Sequence, residues 1–187
     1  MSKSKIEIIQ SLSGADLSLC GQYRYRLGRR WTRQGISKGL LVYLMLNPST
    51  ADATTDDPTI RKCIGFADRL GYDGIQVINL FSLRSTDPSV LVERVDNRGD
   101  LLGPDYDHFL NLTVRHARTV VAAWGCADTL RRRASLAARP AQALARIREI
   151  NPEIEIMCLG RSKDGSPRHP LMLAYTTQLE PFEVPHV

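Results

Sequence analysis

Four short, mainly apolar runs divide this chain: Leu40–Leu46, Ile75–Leu80, Thr119–Trp124 and Ile154–Leu159. Each is short for a helix and rich in valine, isoleucine and leucine, so each reads as a strand buried on both faces. Between them, apolar residues recur at helical spacing. Ile60, Cys63, Ile64, Ala67 and Leu70 form the first such stripe, and Phe109, Leu110, Val114 and Ala117 the second. The third is read as two helical segments, Ala127–Ala138 and Ala141–Ile150, broken at Pro140. Parallel strands need long crossover connections, and helices supply them. The expected fold class is therefore α/β: a three-layer α/β/α sandwich on a mostly parallel four-stranded sheet.

The 187 residues suit one α/β domain, residues 1–187, with a β-rich N-terminal extension over residues 1–39 packed on it. Ile6–Leu12 is read there as a short strand. Tyr23–Trp31 alternates: Tyr23, Tyr25 and Leu27 lie on one face, Arg24 and Arg26 on the other. Gln34–Gly39 carries two glycines and reads as a turn. The expectation is an N-terminal antiparallel hairpin, Tyr23–Trp31 pairing with Leu40–Leu46. Asp56 or Asp57 caps the next helix, Pro58 opens it and Gly71 closes it. Arg84–Pro104 reads as loop, with at most one helical turn at Ser89–Glu93.

Composition removes several function classes. No run of about 18 apolar residues exists, so no membrane span is expected. The N-terminal MSKSKIEIIQ lacks a signal-peptide core, which leaves a cytoplasmic protein as the expectation. Cys20, Cys63, Cys126 and Cys158 are scattered without a C-x-x-C pair. They read as unconnected thiols, with no metal site, cluster or other cofactor. Phosphate-loop, dinucleotide, α/β-hydrolase and zinc-protease signatures are missing. A net charge of +5 is compatible with nucleic acid without being diagnostic.

In such a sheet, ligands bind outside the carboxyl ends of the parallel strands. The four runs deliver Asn47-Pro48-Ser49, Asn79-Leu80-Phe81-Ser82, Trp124-Gly125, and Gly160 followed by Arg168-His169-Pro170. The segment Asp52–Asp57 adds carboxylates. Each has a plain structural reading as well. Asn47 before proline starts a turn, Asn79 bonds a neighbouring loop, Trp124 packs in the core, and one of Asp56 and Asp57 only caps a helix. Their convergence on one rim is the functional signal.

The blocks LMLNPSTADATTDDPTIRKCIGFA, NLFSLRSTDP, VVAAWG and KDGSPRHPLML resemble an uncharacterised bacterial and phage domain family. More distantly, their order resembles the uracil-DNA glycosylase superfamily. That family has a water-activating Asp-Pro or Asn-Pro after its first strand, a base-reading Asn, an apolar strand ending in Trp-Gly, and a His-Pro loop. The resemblance implies a uracil-DNA-glycosylase-like fold and a hydrolase acting on a base flipped out of DNA. Asn47 would position water with Asp52 as base, and His169 would stabilise the departing base. Asn79 and Phe81 would hold the base, with Pro48, Ser82, Trp124 and Gly125 around it. Ser49, Lys163 and Arg168 would take phosphates, and Leu171 would wedge into the vacated stack. Here Asn47-Pro48 continues as Ser-Thr-Ala-Asp, and His169-Pro170 as Leu-Met, so the base recognised stays open. Two other readings stand beside it: an enzyme on free nucleosides or nucleotides, and a non-catalytic nucleic-acid-binding module.

Overall fold

A computed structural model describes residues 6–184 apart from 50, 53 and 127. Seven strands form one sheet: β1 (Gly14–Leu17), β2 (Arg24–Arg30), β3 (Leu40–Met45), β4 (Gly74–Asn79), β5 (Thr119–Ala122), β6 (Glu155–Cys158) and β7 (Glu180–Pro181). Their order is β1-β2-β4-β3-β5-β6-β7. The four expected buried strands lie together at its centre and are mutually parallel. The flanking strands β1, β2 and β7 run antiparallel to their neighbours.

The N-terminal antiparallel hairpin forms between β1 and β2, not between Tyr23–Trp31 and Leu40–Leu46 as expected. β2 pairs with β4, not with β3, matching Leu27 to Val77 and Arg30 to Gly74. Burial explains the choice. Leu41, Val42, Tyr43 and Leu44 are all fully buried, so β3 needs strands on both edges and helices on both faces. It takes β4 and β5 as neighbours. β2, which is arginine-rich, occupies a place nearer the sheet edge. Its exit is tied to the turn before β4, with Trp31 donating its N–H to Asp73 O at 3.0 Å. The expected strand at Ile6–Leu12 reduces to a bridge between Ile8 and Trp31 and a 3-10 turn at Gln10–Leu12. The real edge strand, β1, has too few apolar residues to announce itself.

Alternate residues of the central strands feed two cores. Val42, Leu44, Ile78 and Val120 join helices α3 (Tyr106–Val114) and α5 (Ala134–Ile150) in one. Leu41, Tyr43, Ile75 and Val121 join helix α1 (Pro58–Arg69) in the other. Successive side chains of a strand point to opposite faces, so the two cores draw on alternate residues of the same strands. The crossovers from β3 and β5 leave in opposite directions: α1 leads from β3 to β4 on one side, and α5 leads from β5 to β6 on the other. That makes the β3–β5 boundary the switch point of the sheet, where a crevice opens in folds of this class.

Local signals place α1 well. Asp57 accepts from the Ile60 N–H at 2.8 Å, Pro58 takes the first turn, and Gly71 ends the helix at φ +94°. Two helical expectations need correction. Pro140 does not break α5: Leu136, Pro140, Ala143, Leu144 and Ile147 form one buried stripe. Their burial outweighs the ~3 kcal/mol that an interior proline costs. A separate short helix, α4 (Asp128–Arg131), precedes it. The expected loop after β4 contains α2 (Val90–Asp96), whose Leu91 and Val92 are buried. No described helix is long and apolar enough to cross a membrane.

Candidate functional site

A cleft of about 370 Å³ opens beyond the carboxyl ends of β3, β4 and β5. Asn47 and Ser49 come from the exit of β3, Asn79 from the end of β4, and Trp124, Gly125 and Cys126 from the exit of β5. His169 closes one side, and the first turn of α1 contributes Thr59 and Ile60. The segments expected on one rim therefore meet in one cavity. Its size suits a nucleoside-sized ligand.

His169 stands at the start of a 3-10 turn, Pro170–Met172, which its ring caps: Nδ1 accepts from the Leu171 N–H at 3.3 Å. An Nδ1 that accepts carries no proton, so in the neutral ring the proton sits on Nε2. Burial lowers the pKa of His169 below the ordinary 6.5, with the Asp57 carboxylate pulling weakly the other way. The ring is thus a neutral Nε2–H donor at neutral pH.

Asn79 is 2% exposed, and its amide Nδ2 has no hydrogen-bond partner among the described residues. A buried amide without a partner is costly, and this one is left free to bond a group entering the cleft. Asn47 differs. Its Nδ2 donates to Ser85 O at 2.8 Å and to Pro48 O at 3.3 Å, tying the β3 exit to the loop after β4. The amide group is then fixed, and its Oδ1 is the atom left to accept a hydrogen bond from a bound water.

Gly125 lies at φ +77°, and a Cβ there would sit 3.1 Å from His169 Cβ. Glycine is needed both for the backbone and for the close approach. Gly125→Ala should cost about 1–2 kcal/mol in stability and displace the imidazole. Chemical denaturation and the His169 ring NMR signals check this; an unshifted ring would refute it.

Several expected site residues lie elsewhere. Asp52 is not on the cleft wall. Its Oδ1 accepts from the Thr54 and Thr55 N–H groups at 2.9 and 2.8 Å, and these bonds lower its pKa. A carboxylate so committed is a weak base. Asp57 is the carboxylate on the wall, and its cap of α1 aims it there. Phe81 is 2% exposed inside the core with Leu80 and Leu83, so it offers no stacking face. Ser82 is equally buried, its Oγ unpartnered. Pro48 is buried behind the loop, accepting from the Ser85 N–H at 2.9 Å. Trp124 lines the cleft yet packs edge-on to Phe182, with ring centroids 5.4 Å apart. Lys163 and Arg168 are exposed on the loop closed by the Arg161–Pro167 bridge, outside the cavity. Leu171 is 39% exposed and its neighbour Met172 87%, beside His169 on the outer surface.

Sequence reasoning missed two arginines of β2. Arg29 is buried and donates to Asp56 Oδ1 at 2.8 Å and to Asp52 O at 2.6 Å, organising the polar loop. Arg24 is buried on the cleft wall, and burial draws its pKa down to about 10 while leaving it charged at neutral pH. The available signal was only that arginines interrupt a strand that also carries Tyr25 and Leu27; five residues apart, the two share no strand period. Ser85, Thr86 and Cys126 also line the cleft. Among the described residues no cluster of three or more His, Cys, Asp or Glu side chains is arranged to hold a metal ion.

Residues 24–171 match the family described as "Protein of unknown function (DUF1643)". The chain belongs to this family. No curated protein and no solved structure matches the chain. The matched span starts at Arg24 and ends at Leu171, so it contains every residue of the cleft wall and leaves out the edge strands β1 and β7.

Proposed function

We propose that the protein is a DNA glycosylase-like hydrolase that cleaves the N-glycosidic bond of a nucleotide flipped into the cleft. The observation that carries this reading is the pairing of a neutral His169, held as an Nε2–H donor, with the unpartnered buried amide of Asn79 in the same cavity. Asn79 reads a polar edge of the base. As the C1′–N bond breaks, its electron pair stays on the base, and His169 donates a hydrogen bond to the resulting anion. Water held at Asn47 Oδ1 adds to C1′ and passes a proton to Asp57, which replaces Asp52 in the role of base. The released base takes a proton from solvent. The reading also carries the finer fold assignment, a three-layer arrangement of the glycosylase type, with α1 in one outer layer and α3 and α5 in the other.

The test is incubation with DNA containing uracil and a panel of modified bases, followed by detection of abasic sites. Asp57→Asn is the informative variant, because asparagine caps a helix as well as aspartate does. The expected result is unchanged stability with a loss of base release of about 10²-fold or more. Asp52→Asn should retain most of the activity. The opposite order of effects would return the base to Asp52, and an absence of abasic sites across the panel would refute the hydrolase.

A further inference from the structure

Arg24 and Arg29 leave the same strand and are buried alike, at 3% and 2% exposure, yet the protein treats them differently. Arg29 has a carboxylate at Asp56, and its guanidinium also donates to the carbonyls of Gly14, Gly28, Asp52 and Thr55. Among the described residues Arg24 has one bond from its side chain, Nη1 to Ala51 O. Its buried Nε has no partner, and Nη2 makes no hydrogen bond among the described residues. It forms no ion pair there either, although Asp57 lies near enough to favour its charged form. A guanidinium carries five N–H donors, and leaving a charged group buried with its donors unmet is costly. Arg29 shows that this fold can satisfy a buried arginine from its own residues, with one carboxylate and several backbone carbonyls. The unmet donors of Arg24 therefore call for a partner from outside, and Arg24 opens onto the cleft.

We propose that Arg24 is an anion-binding residue of the cleft, and that the ligand brings a singly charged phosphodiester to it. The planar fork of arginine matches two phosphoryl oxygens. The first turn of α1, at Thr59 and Ile60, lines the same cavity and adds the positive end of a helix dipole. Asp57 sets the limit on charge. As the one carboxylate among the lining residues, it disfavours a doubly charged phosphate monoester while tolerating a single negative charge. The inference needs the cleft to be a ligand site, but not the glycosidic cleavage proposed above.

Calorimetric binding tests it without reference to turnover. A set of dinucleoside monophosphates, one for each DNA base, is compared with the matching nucleosides at neutral pH and fixed ionic strength. The wild-type protein should bind at least one dinucleoside monophosphate about tenfold or more tightly than its nucleoside. Arg24→Met should remove that preference, and Arg24→Lys should restore part of it by keeping charge without the fork. Should Arg24→Met fail to fold, dimethyl phosphate, a singly charged diester, replacing chloride should compete with the wild type's dinucleoside monophosphate and leave nucleoside binding unchanged. Equal affinities in the wild type, binding of neither probe, or a preference that survives in a folded Arg24→Met protein would each overturn the proposal. So would a lack of competition by dimethyl phosphate in the wild type. Failure to detect abasic sites would overturn only the hydrolase.

Discussion

Arg29→Ala should destabilise the protein by about 3 kcal/mol or more, among the largest single losses available outside the apolar core. The substitution strands the Asp56 carboxylate, 21% exposed, and removes the donor that holds Asp52 O at 2.6 Å and Gly28 O at 2.8 Å. It also releases the loop that carries Asp57 to the cleft. Arg29→Lys should recover part of the loss, since a single ammonium replaces a fork that reaches several acceptors at once. Urea unfolding measures both. A loss below about 1 kcal/mol for Arg29→Ala would show that water replaces the network at little cost.

His169→Ala should reduce base release by about 10²–10³-fold while leaving the fold intact, because it removes the donor aimed at the departing base. Its structural role is small: a single cap on a three-residue 3-10 turn. The wild-type pH profile is a second measure. Burial lowers the His169 pKa below 6.5, so the ring is neutral above that value. As pH falls through 6.5, the unfolded chain takes up the proton before the folded one does. Stability is therefore full above this pH and declines toward the lower folded pKa. Protonation at Nδ1 would also set an N–H against the Leu171 N–H, abolishing the cap. Activity should fall on the acid side in wild type, and His169→Ala should lose that acid limb. An acid limb that persists unchanged in the variant would assign it to another group.

Much of the site was legible because it follows from chain direction. Parallel strands that each feed a helix all end on one side, so Asn47, Asn79 and Trp124-Gly125 were bound to share a rim once their strands were recognised. A carboxylate cap just before Pro58 was legible because it satisfies an N–H three residues on, but the structure decided for Asp57 over Asp56. Phe81 was not legible. Its position two residues beyond the rim residue Asn79 suggested a base platform, but the core on the α3 and α5 side fills around it. The roles of Asp52 and Asp57 could not be separated by sequence either, since both precede a run of backbone N–H groups.

The sequence by itself determined the buried strands, the helix that starts at Pro58, and the collection of polar exits at one end, because hydrophobic period and capping are local properties of the chain. Only the tertiary structure decided that β2 pairs with β4, since a strand's partner depends on which edges remain to be buried. Pairing β2 there brings Arg24 to the cleft and Arg29 beneath the loop. The fate of those two arginines, one saturated and one open, rests on contacts with residues more than twenty positions away in the chain. No local pattern records contacts at that separation, and they are what turn a polar rim into a site with a donor, a carboxylate and a buried cation.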